Sequence, residues 1–337
     1  MTDLVLALDL GGSQVRAALV GVDGTIHDRT STRTPVADGP AAVVEACLAQ
    51  LALVRAAVTG HDARSGRIIG IGISAPGPVD PYRGVVVDPP NLGPGFRDIR
   101  LAERVADALG SPTFLDRDTQ VAALGEGSFG AARGCRDFIY LTVSTGIGGA
   151  VVSDGRMLRG PDGAAGELGH LLVDRSGPIC GCGARGHLEA IASGVAIARA
   201  AREVVAAGGS TALAEAARTS GPAFGAREVV AASTAGDPAA MGIVADACDA
   251  FAQACVALVD VFNPALIVVG GSLAGGLGET LLGPARRTVA EHAFRMSAQR
   301  VRIAPSQLGD DVGLIGAAML VVDRLGGSPL PQPPGPG

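Results

Sequence analysis

The chain has 337 residues, 33 acidic and 27 basic side chains for a formal net charge of −6, and 47% apolar residues. That length suits about two domains with cores of their own, and a mildly acidic balance without a basic cluster excludes nucleic acid as an expected partner. No run reaches the roughly 18 to 20 uncharged apolar residues of a membrane span; the most apolar helical segment expected, 41–58, is interrupted by Glu45 and Arg55, so no membrane partner is expected either.

The N-terminal sequence carries no basic region or small-residue cleavage site and runs directly into a strand. Cys47, Cys135, Cys248 and Cys255 are scattered through apolar segments, the pattern of buried small hydrophobes in a reducing compartment, and a cytoplasmic location is expected.

In chain order, the pattern opens with a strand at 4–9, a glycine turn at 10–14 and a second strand at 15–20. Within the turn, Asp9 stands at a strand end and is followed by Gly11, Gly12 and Ser13. Bare glycine backbone lets amide N–H groups approach phosphate oxygens, and Ser13 adds a hydroxyl donor. A ligand-free glycine hairpin is an equally common use of such a turn. A helix is expected at 40–58, a strand at 67–74, an irregular loop at 89–97 containing Asn91 and Phe96, and a helix at 99–109. The strand at 113–116 delivers Arg117 and Asp118 to a helix at 119–126. Asp118 is suited to capping that helix, and a carboxylate at a strand end is also where a general base sits.

A second strand, turn and strand follow at 138–143, 144–149 and 150–152, with Thr145, Gly146 and Gly148 in the turn. The same order of parts in both halves points to an internal duplication with one phosphate-binding hairpin in each, hence an α/β fold of two domains with a hinge cleft between them. Alanine-rich helices broken at Gly208 and Gly221 precede a long helix at 238–262, which Asn263 and Pro264 stop. A strand at 265–269 meets a third glycine turn, Gly270 and Gly271, followed by a helix at 279–293, a strand at 301–304 and a helix after Asp311. The tail at 326–337 is rich in proline and glycine and is expected to be unstructured.

The most specific stretch is 166–189. It places His170, Cys180, Cys182 and His187 close together, with Glu167 and Glu189 at its ends. Two thiolates and two imidazoles complete the tetrahedron of a structural zinc ion, and the glycines of the Cys-Gly-Cys-Gly knuckle let the backbone turn both sulfurs to one point. A disulfide between Cys180 and Cys182 would close a small strained ring. Glu167 and His170 share the Glu-x-x-His spacing of di-iron helical bundles, but Gly166 and Gly169 argue against a helix there.

These motifs resemble the ROK family (repressor, open reading frame, kinase), sugar kinases on the duplicated actin-like ATPase (ribonuclease H-like) fold. The family's Glu-x-Gly-His and Cys-x-Cys-Gly-x-x-Gly-Cys-x-Glu signature is matched from Glu167 to Glu189, with His187 replacing the last cysteine. Its two phosphate loops are matched by Asp9, Gly11, Gly12 and Ser13 and by Thr145, Gly146, Gly148 and Gly149, with Ser144 at the usual first glycine; its adenosine region is matched around Gly270 and Gly271. The resemblance implies ATP and Mg²⁺ as cofactors and structural Zn²⁺. It implies Asp118 as the base, with Asn91, Arg117, Glu167, His170 and Glu189 at the sugar. Glucose is the first expected acceptor, giving glucose 6-phosphate.

Arg117 and Gln120 stand where the family commonly has asparagines, and Phe96 where glucokinase-like members often have tryptophan. These departures keep open another hexose (N-acetylglucosamine, mannose or fructose), polyphosphate as donor, or a non-catalytic sugar-binding regulator. A DNA-binding regulator of the family would need a segment before the first strand, and three residues precede Leu4. The domain boundaries expected are 1–117, with 311–325 returning to it, and 118–310 carrying the zinc loop. A homodimer or homotetramer is expected from the resemblance alone.

Overall fold

The computed structural model describes residues 3–60, 66–327 and 330. The unstructured tail expected at 326–337 lies outside the described residues apart from Gly326, Gly327 and Leu330. Contacts divide the chain into two compact units, Met1–Arg136 with Val151–Ala165 and Gln307–Gly337, and Asp137–Ala150 with Gly166–Ser306. The first division thus falls after the helix that begins at Asp118, not before it as expected, and the segment 151–165 returns to the first unit.

The first unit is built on β1 (Leu4–Leu10), β2 (Gln14–Gly21), β3 (Ile26–Arg33), α1 (Pro40–Gly60), β4 (Ile68–Ala75), β5 (Val79–Asp80), β6 (Val85–Val86), α2 (Leu101–Leu109), β7 (Thr113–Arg117) and α3 (Asp118–Phe129). Its sheet has the order β3-β2-β1-β4-β7. β1, β2 and β3 pair antiparallel, whereas β1, β4 and β7 pair parallel. Strand alternation decides the two faces of β1: Leu4, Leu6, Leu8 and Leu10 enter one core with Val43, Cys47, Leu51, Val54, Leu101 and Val105 of α1 and α2, and Asp9 points to the other face. β3 alternates half-buried and exposed residues and carries charge along its length, as suits a protected sheet edge.

The chain continues through β8 (Phe138–Val143), β9 (Ile147–Ser153), β10 (Arg156–Met157), α4 (Leu188–Ala192), α5 (Gly194–Ala206), α6 (Thr211–Ser220), α7 (Ala226–Thr234) and α8 (Pro238–Phe262). It ends with β11 (Leu266–Gly270), α9 (Ser272–Leu277), α10 (Glu279–His292), α11 (Arg295–Ala298), β12 (Arg302–Pro305) and α12 (Val312–Arg324). The second sheet has the order β10-β9-β8-β11-β12, the same permutation as the first, which is the architectural form of the duplication read from the two hairpins.

α8 is bounded by local chemistry: Asp237 accepts the Ala240 N–H at 2.9 Å, Pro238 occupies the first turn, and Asn263 closes the helix in the left-handed region at φ 49°. This helix, and not 41–58, is the described one long and apolar enough to cross a bilayer by length and composition, with a mean hydropathy of 1.6. Its buried face, including Phe251, Cys255, Leu258 and Val259, makes it a core helix.

Small residues bring α12 onto the first sheet. A Cβ at Gly72 would lie 1.8 Å from the Ala317 carbonyl, and one at Gly316 would lie 2.0 Å from the Val121 carbonyl. Backbone of α12 therefore lies against β4 and α3 with no side chain between.

Candidate active site

In the first hairpin, the Gly11 N–H donates to the Gln14 carbonyl at 2.9 Å, and Thr34 Oγ1 donates to the Gly11 carbonyl at 2.6 Å. Ser13 is exposed. Gly12 is required by a close approach, since its Cβ would meet the Asn91 carbonyl at 2.8 Å; the turn and the Asn91 loop are packed together. Phe96, in the same loop, is 1% exposed and belongs to the core around β1.

Asp9 is held from two directions, by Arg16 and by α12. Arg16 donates from both Nε, at 3.1 Å, and Nη2 to Asp9 Oδ2, and from Nη1 to the Asp310 carbonyl at 2.7 Å. Gly313, in the first turn of α12, lies against the carboxylate, because an added Cβ would be 2.7 Å from Asp9 Cγ. The chain contains no lysine, and Arg16 is the cationic side chain of this hairpin.

The β7–α3 junction has no linker: β7 ends at Arg117 and α3 begins at Asp118. Arg117, in extended conformation, is the N-cap residue, so Asp118 is the first helical residue and not the cap expected. Its Oδ1 accepts the Thr119 N–H at 2.7 Å, and the residue is exposed. A carboxylate there benefits from the positive end of the helix dipole. Strand register places Asp9 opposite Ser74 and Ser74 opposite Asp116, so Asp9 and the junction are two strands apart at one level of the sheet, about 10 Å by strand spacing. Arg117 is 6% exposed; its Nε donates to Thr119 Oγ1 at 3.0 Å and its Nη2 to the Ala165 carbonyl at 2.9 Å. Gln120, fully buried, donates to the same carbonyl at 3.2 Å.

In the second unit, the turn between β8 and β9 is shorter than expected, because β9 starts at Ile147. Gly194 and Val195, opening α5, donate to the carbonyls of Ser144 and Thr145 at 2.8 and 3.1 Å. Ser144 Oγ is 2.9 Å from Ser272 Oγ at the start of α9, and Gly271 has φ 96° with the Val143 carbonyl 2.4 Å from where its Cβ would be. Thr145 is exposed and Gly148 lies on β9. Gly270 ends β11, where a Cβ would meet Tyr140 Oη at 2.5 Å. Glu189, in the first turn of α4, accepts the Ile147 N–H at 2.8 Å, and Gly146 leaves room for that carboxylate. Glu189 is thereby fastened to the hairpin.

His170, Cys180, Cys182 and His187 converge, with all four ligand atoms within 4.8 Å of one another. The two Nδ1 atoms are 3.1 Å apart, Cys180 Sγ is 3.8 Å from His170 Nδ1, and Cys182 Sγ is 3.4 Å from His187 Nδ1. A zinc tetrahedron with bonds of about 2.05 Å to nitrogen and 2.3 Å to sulfur has edges of about 3.3 Å between nitrogens and about 3.6 Å from nitrogen to sulfur. The donor set fits the ion. Burial pushes the Cys180 thiol above its ordinary value, and the neighbouring Cys182 and Glu189 charges push the same way; a bound cation inverts that balance. The knuckle is closed by the Cys180 N–H to the Ala184 carbonyl at 2.7 Å and the Gly186 N–H to the Pro178 carbonyl at 2.8 Å. Residues Leu168–His170 form one 3-10 turn where no helix was expected, and Glu167 precedes it, exposed.

Asp9, Gly11, Gly12, Ser13, Asn91, Arg117 and Asp118 thus lie in the first unit, and Thr145, Gly146, Gly148, Glu167, His170, Glu189, Gly270 and Gly271 in the second. Sequence reasoning missed Arg16, which the hairpin register places opposite Asp9 and which counting back from the turn would have found. It also missed Asp116, Glu126 and Arg159, whose partners are remote in sequence.

The sequence profile of the ROK family matches residues 5–324. A glucokinase from Thermotoga maritima is 34% identical over 96% of this chain and 98% of its own length, and an N-acetylmannosamine kinase from Citrobacter koseri is 36% identical over 94% and 97%. The crystal structure of a ROK family glucokinase from Streptomyces griseus in complex with glucose and AMPPNP superposes with a TM-score of 0.75 at 31% identity, covering 94% of this chain and 98% of that one. With its two like-ordered sheets on the actin-like ATPase plan and a family match over nearly its full length, the chain belongs to the ROK family.

Proposed function

We propose that the protein transfers the γ-phosphoryl group of ATP to a hexose hydroxyl, with the 6-hydroxyl of glucose as the leading acceptor. The observation that carries the reading is Asp118, an exposed carboxylate at a strand–helix junction, two residues beyond Asp116, which is level in the sheet with Asp9. Asp118 takes the proton of the attacking hydroxyl as the oxygen bonds to the γ-phosphorus and ADP leaves. Phosphoryl transfer has a loose transition state, so positioning and charge stabilisation supply most of the catalysis. The backbone of Gly11–Ser13 and Thr145–Gly146 offers N–H groups to phosphate oxygens, and Asp9 would help hold Mg²⁺, which when bound would offset the phosphate charge. Gly270 and Gly271 border the adenosine. Asn91, Glu167, His170 and Glu189 hold the remaining sugar hydroxyls.

Zn²⁺ at His170, Cys180, Cys182 and His187 is structural, since four protein ligands fill its coordination. Bound there, it would fix the backbone next to Glu167 and Glu189. Arg117 bonds to Thr119 and to the Ala165 carbonyl, which supports a part for it in fixing this junction.

N-acetylmannosamine is the competing acceptor, favoured by a relative at 36% identity whose name carries that sugar. ADP release with Mg-ATP and a panel of hexoses and N-acetylhexosamines, run on wild type beside Asp118→Asn, tests the reading. Sugar-dependent turnover abolished by the substitution is expected, and the preferred sugar identifies the acceptor. Sugar binding without turnover, with ATP and with polyphosphate, would turn the reading to a regulator.

A further inference from the structure

Asp116 is completely buried one residue before the β7–α3 junction. An ionised carboxylate in such a place needs a charged partner and hydrogen bonds to its remaining lone pairs. Its Oδ1 accepts the Arg117 N–H at 2.9 Å, and its Oδ2 accepts Arg159 Nε at 2.9 Å. Arg159 reaches on through Nη2 to Asp323 Oδ2 at 3.0 Å near the end of α12. The second cation, Arg324, stands farther off at 3.5 Å and lies over the Tyr82 ring. Burial works against the charge of Arg159, but Asp116 and then Asp323 outweigh it and hold the guanidinium above its ordinary value.

The segment that carries Arg159 is fastened to the same junction at its other end. Arg117 Nη2 and Gln120 Nε2 both donate to the Ala165 carbonyl, and the Ala165 N–H donates to the Arg159 carbonyl at 3.0 Å, closing the loop on itself. Tyr82 Oη adds a bond to the Gly160 carbonyl at 2.8 Å. The peptide entering Arg117 is thereby oriented by Asp116, and Asp118 follows it with no slack before the helix.

We propose that Arg159 is a positioning residue for Asp118: by pairing with Asp116 it fixes the peptide at Arg117 and so the direction in which the candidate base enters α3. The inference rests on the reading of Asp118 as the base. Its test uses Arg159→Gln, Arg159→Lys and the double variant Asp116→Asn/Arg159→Gln in the full chain. The Asp116→Asn change keeps an oxygen for the Arg117 N–H and removes the buried charge that Arg159→Gln would leave with only the more distant Arg324.

Arg159→Gln is expected to lower kcat about tenfold or more while KM for sugar and for ATP stays within about threefold, the pattern of a lost transition-state arrangement. Arg159→Lys regains part of the rate, and the double variant returns to within about threefold of wild type, because a neutral amide at position 116 can still accept the Arg117 N–H without a cationic partner. A folded Arg159→Gln with wild-type kcat overturns the proposal. So does a folded double variant as slow as Asp118→Asn, and this arm stands even where Arg159→Gln does not fold. Backbone hydrogen exchange supplies a readout independent of turnover: peptides covering 114–121 are expected to exchange faster in Arg159→Lys than in wild type, and unchanged exchange there overturns the proposal. Full activity in Asp118→Asn would instead strike the base reading, leaving the exchange measurement to decide on Arg159.

Discussion

Replacing Glu126 measures how firmly the chain is bracketed where it returns toward α12. The side chain is wholly buried in α3, and its carboxylate accepts from three backbone N–H groups: Ala131 at 2.7 Å, Gln307 at 3.0 and 3.3 Å, and Leu308 at 3.0 Å. In Glu126→Gln the amide oxygen can keep Gln307 and Leu308, but the NH₂ group then faces the Ala131 N–H, donor against donor. One partly buried N–H left unpaired costs at most about 1–3 kcal/mol, and the exchange of a charged acceptor for a neutral one weakens the others by about 1 kcal/mol. Glu126→Leu takes the carboxylate from all three, and since these bonds are only partly buried water repairs some of the loss; the cost is still expected to exceed that of Glu126→Gln. At about 2–4 °C per kcal/mol for a cooperative unit of this size, Glu126→Gln is expected to lower the Tm by roughly 4–16 °C in a circular dichroism melt, and Glu126→Leu by more. Since Gln307 and Leu308 lead into α12, whose Gly313 backs Asp9, KM for Mg-ATP is expected to rise as well. A Glu126→Gln protein that melts within about 1 °C of wild type would refute the reasoning.

Purified protein is expected to carry one zinc ion per chain by elemental analysis, with His187→Ala losing it to a chelator at concentrations that leave wild type loaded; zinc-free wild type after refolding with zinc would remove the metal site. Arg16→Gln takes both donors from Asp9 Oδ2 and is expected to reduce kcat/KM for Mg-ATP by about tenfold with sugar binding unchanged by calorimetry; an unchanged value would show that Asp9 needs no such support. Burial pushes the Cys47 and Cys255 thiols from 9.0 up to about 12 in the folded chain. A raised folded value means that stability is complete below pH 9 and declines as pH rises toward 12, because the unfolded thiols ionise first. The Tm of wild type is therefore expected to fall between pH 9 and 11 more steeply than that of Cys47→Ala/Cys255→Ala, and parallel slopes would contradict this.

The sequence by itself determined the elements whose signals are local. The apolar strands β1, β8 and β11, the glycine hairpins, and α8 with its Asp237 cap and Asn263-Pro264 stop follow from residue type and spacing. The convergence of His170, Cys180, Cys182 and His187 was legible too, because ligands so close in the chain need only a tight turn to meet. Short elements were not legible. α9 contains Gly275 and Gly276, poor helix formers, and is held by the burial of Leu273, Ala274 and Leu277; β5, β6 and β10 have two residues each and exist through their partners.

Only the tertiary structure decided what becomes of charge. That Arg117 Nη2 reaches the Ala165 carbonyl, 48 residues on, could not be read from the chain, and Phe96 proved to be core because α1 and the sheet enclose it. The partners of Asp116 and Glu126 are 43 and 181 residues distant in sequence. Periodicity reports which face of an element is buried, but a buried carboxylate is tolerated through specific donors, and their approach is set by chain packing that no local pattern encodes.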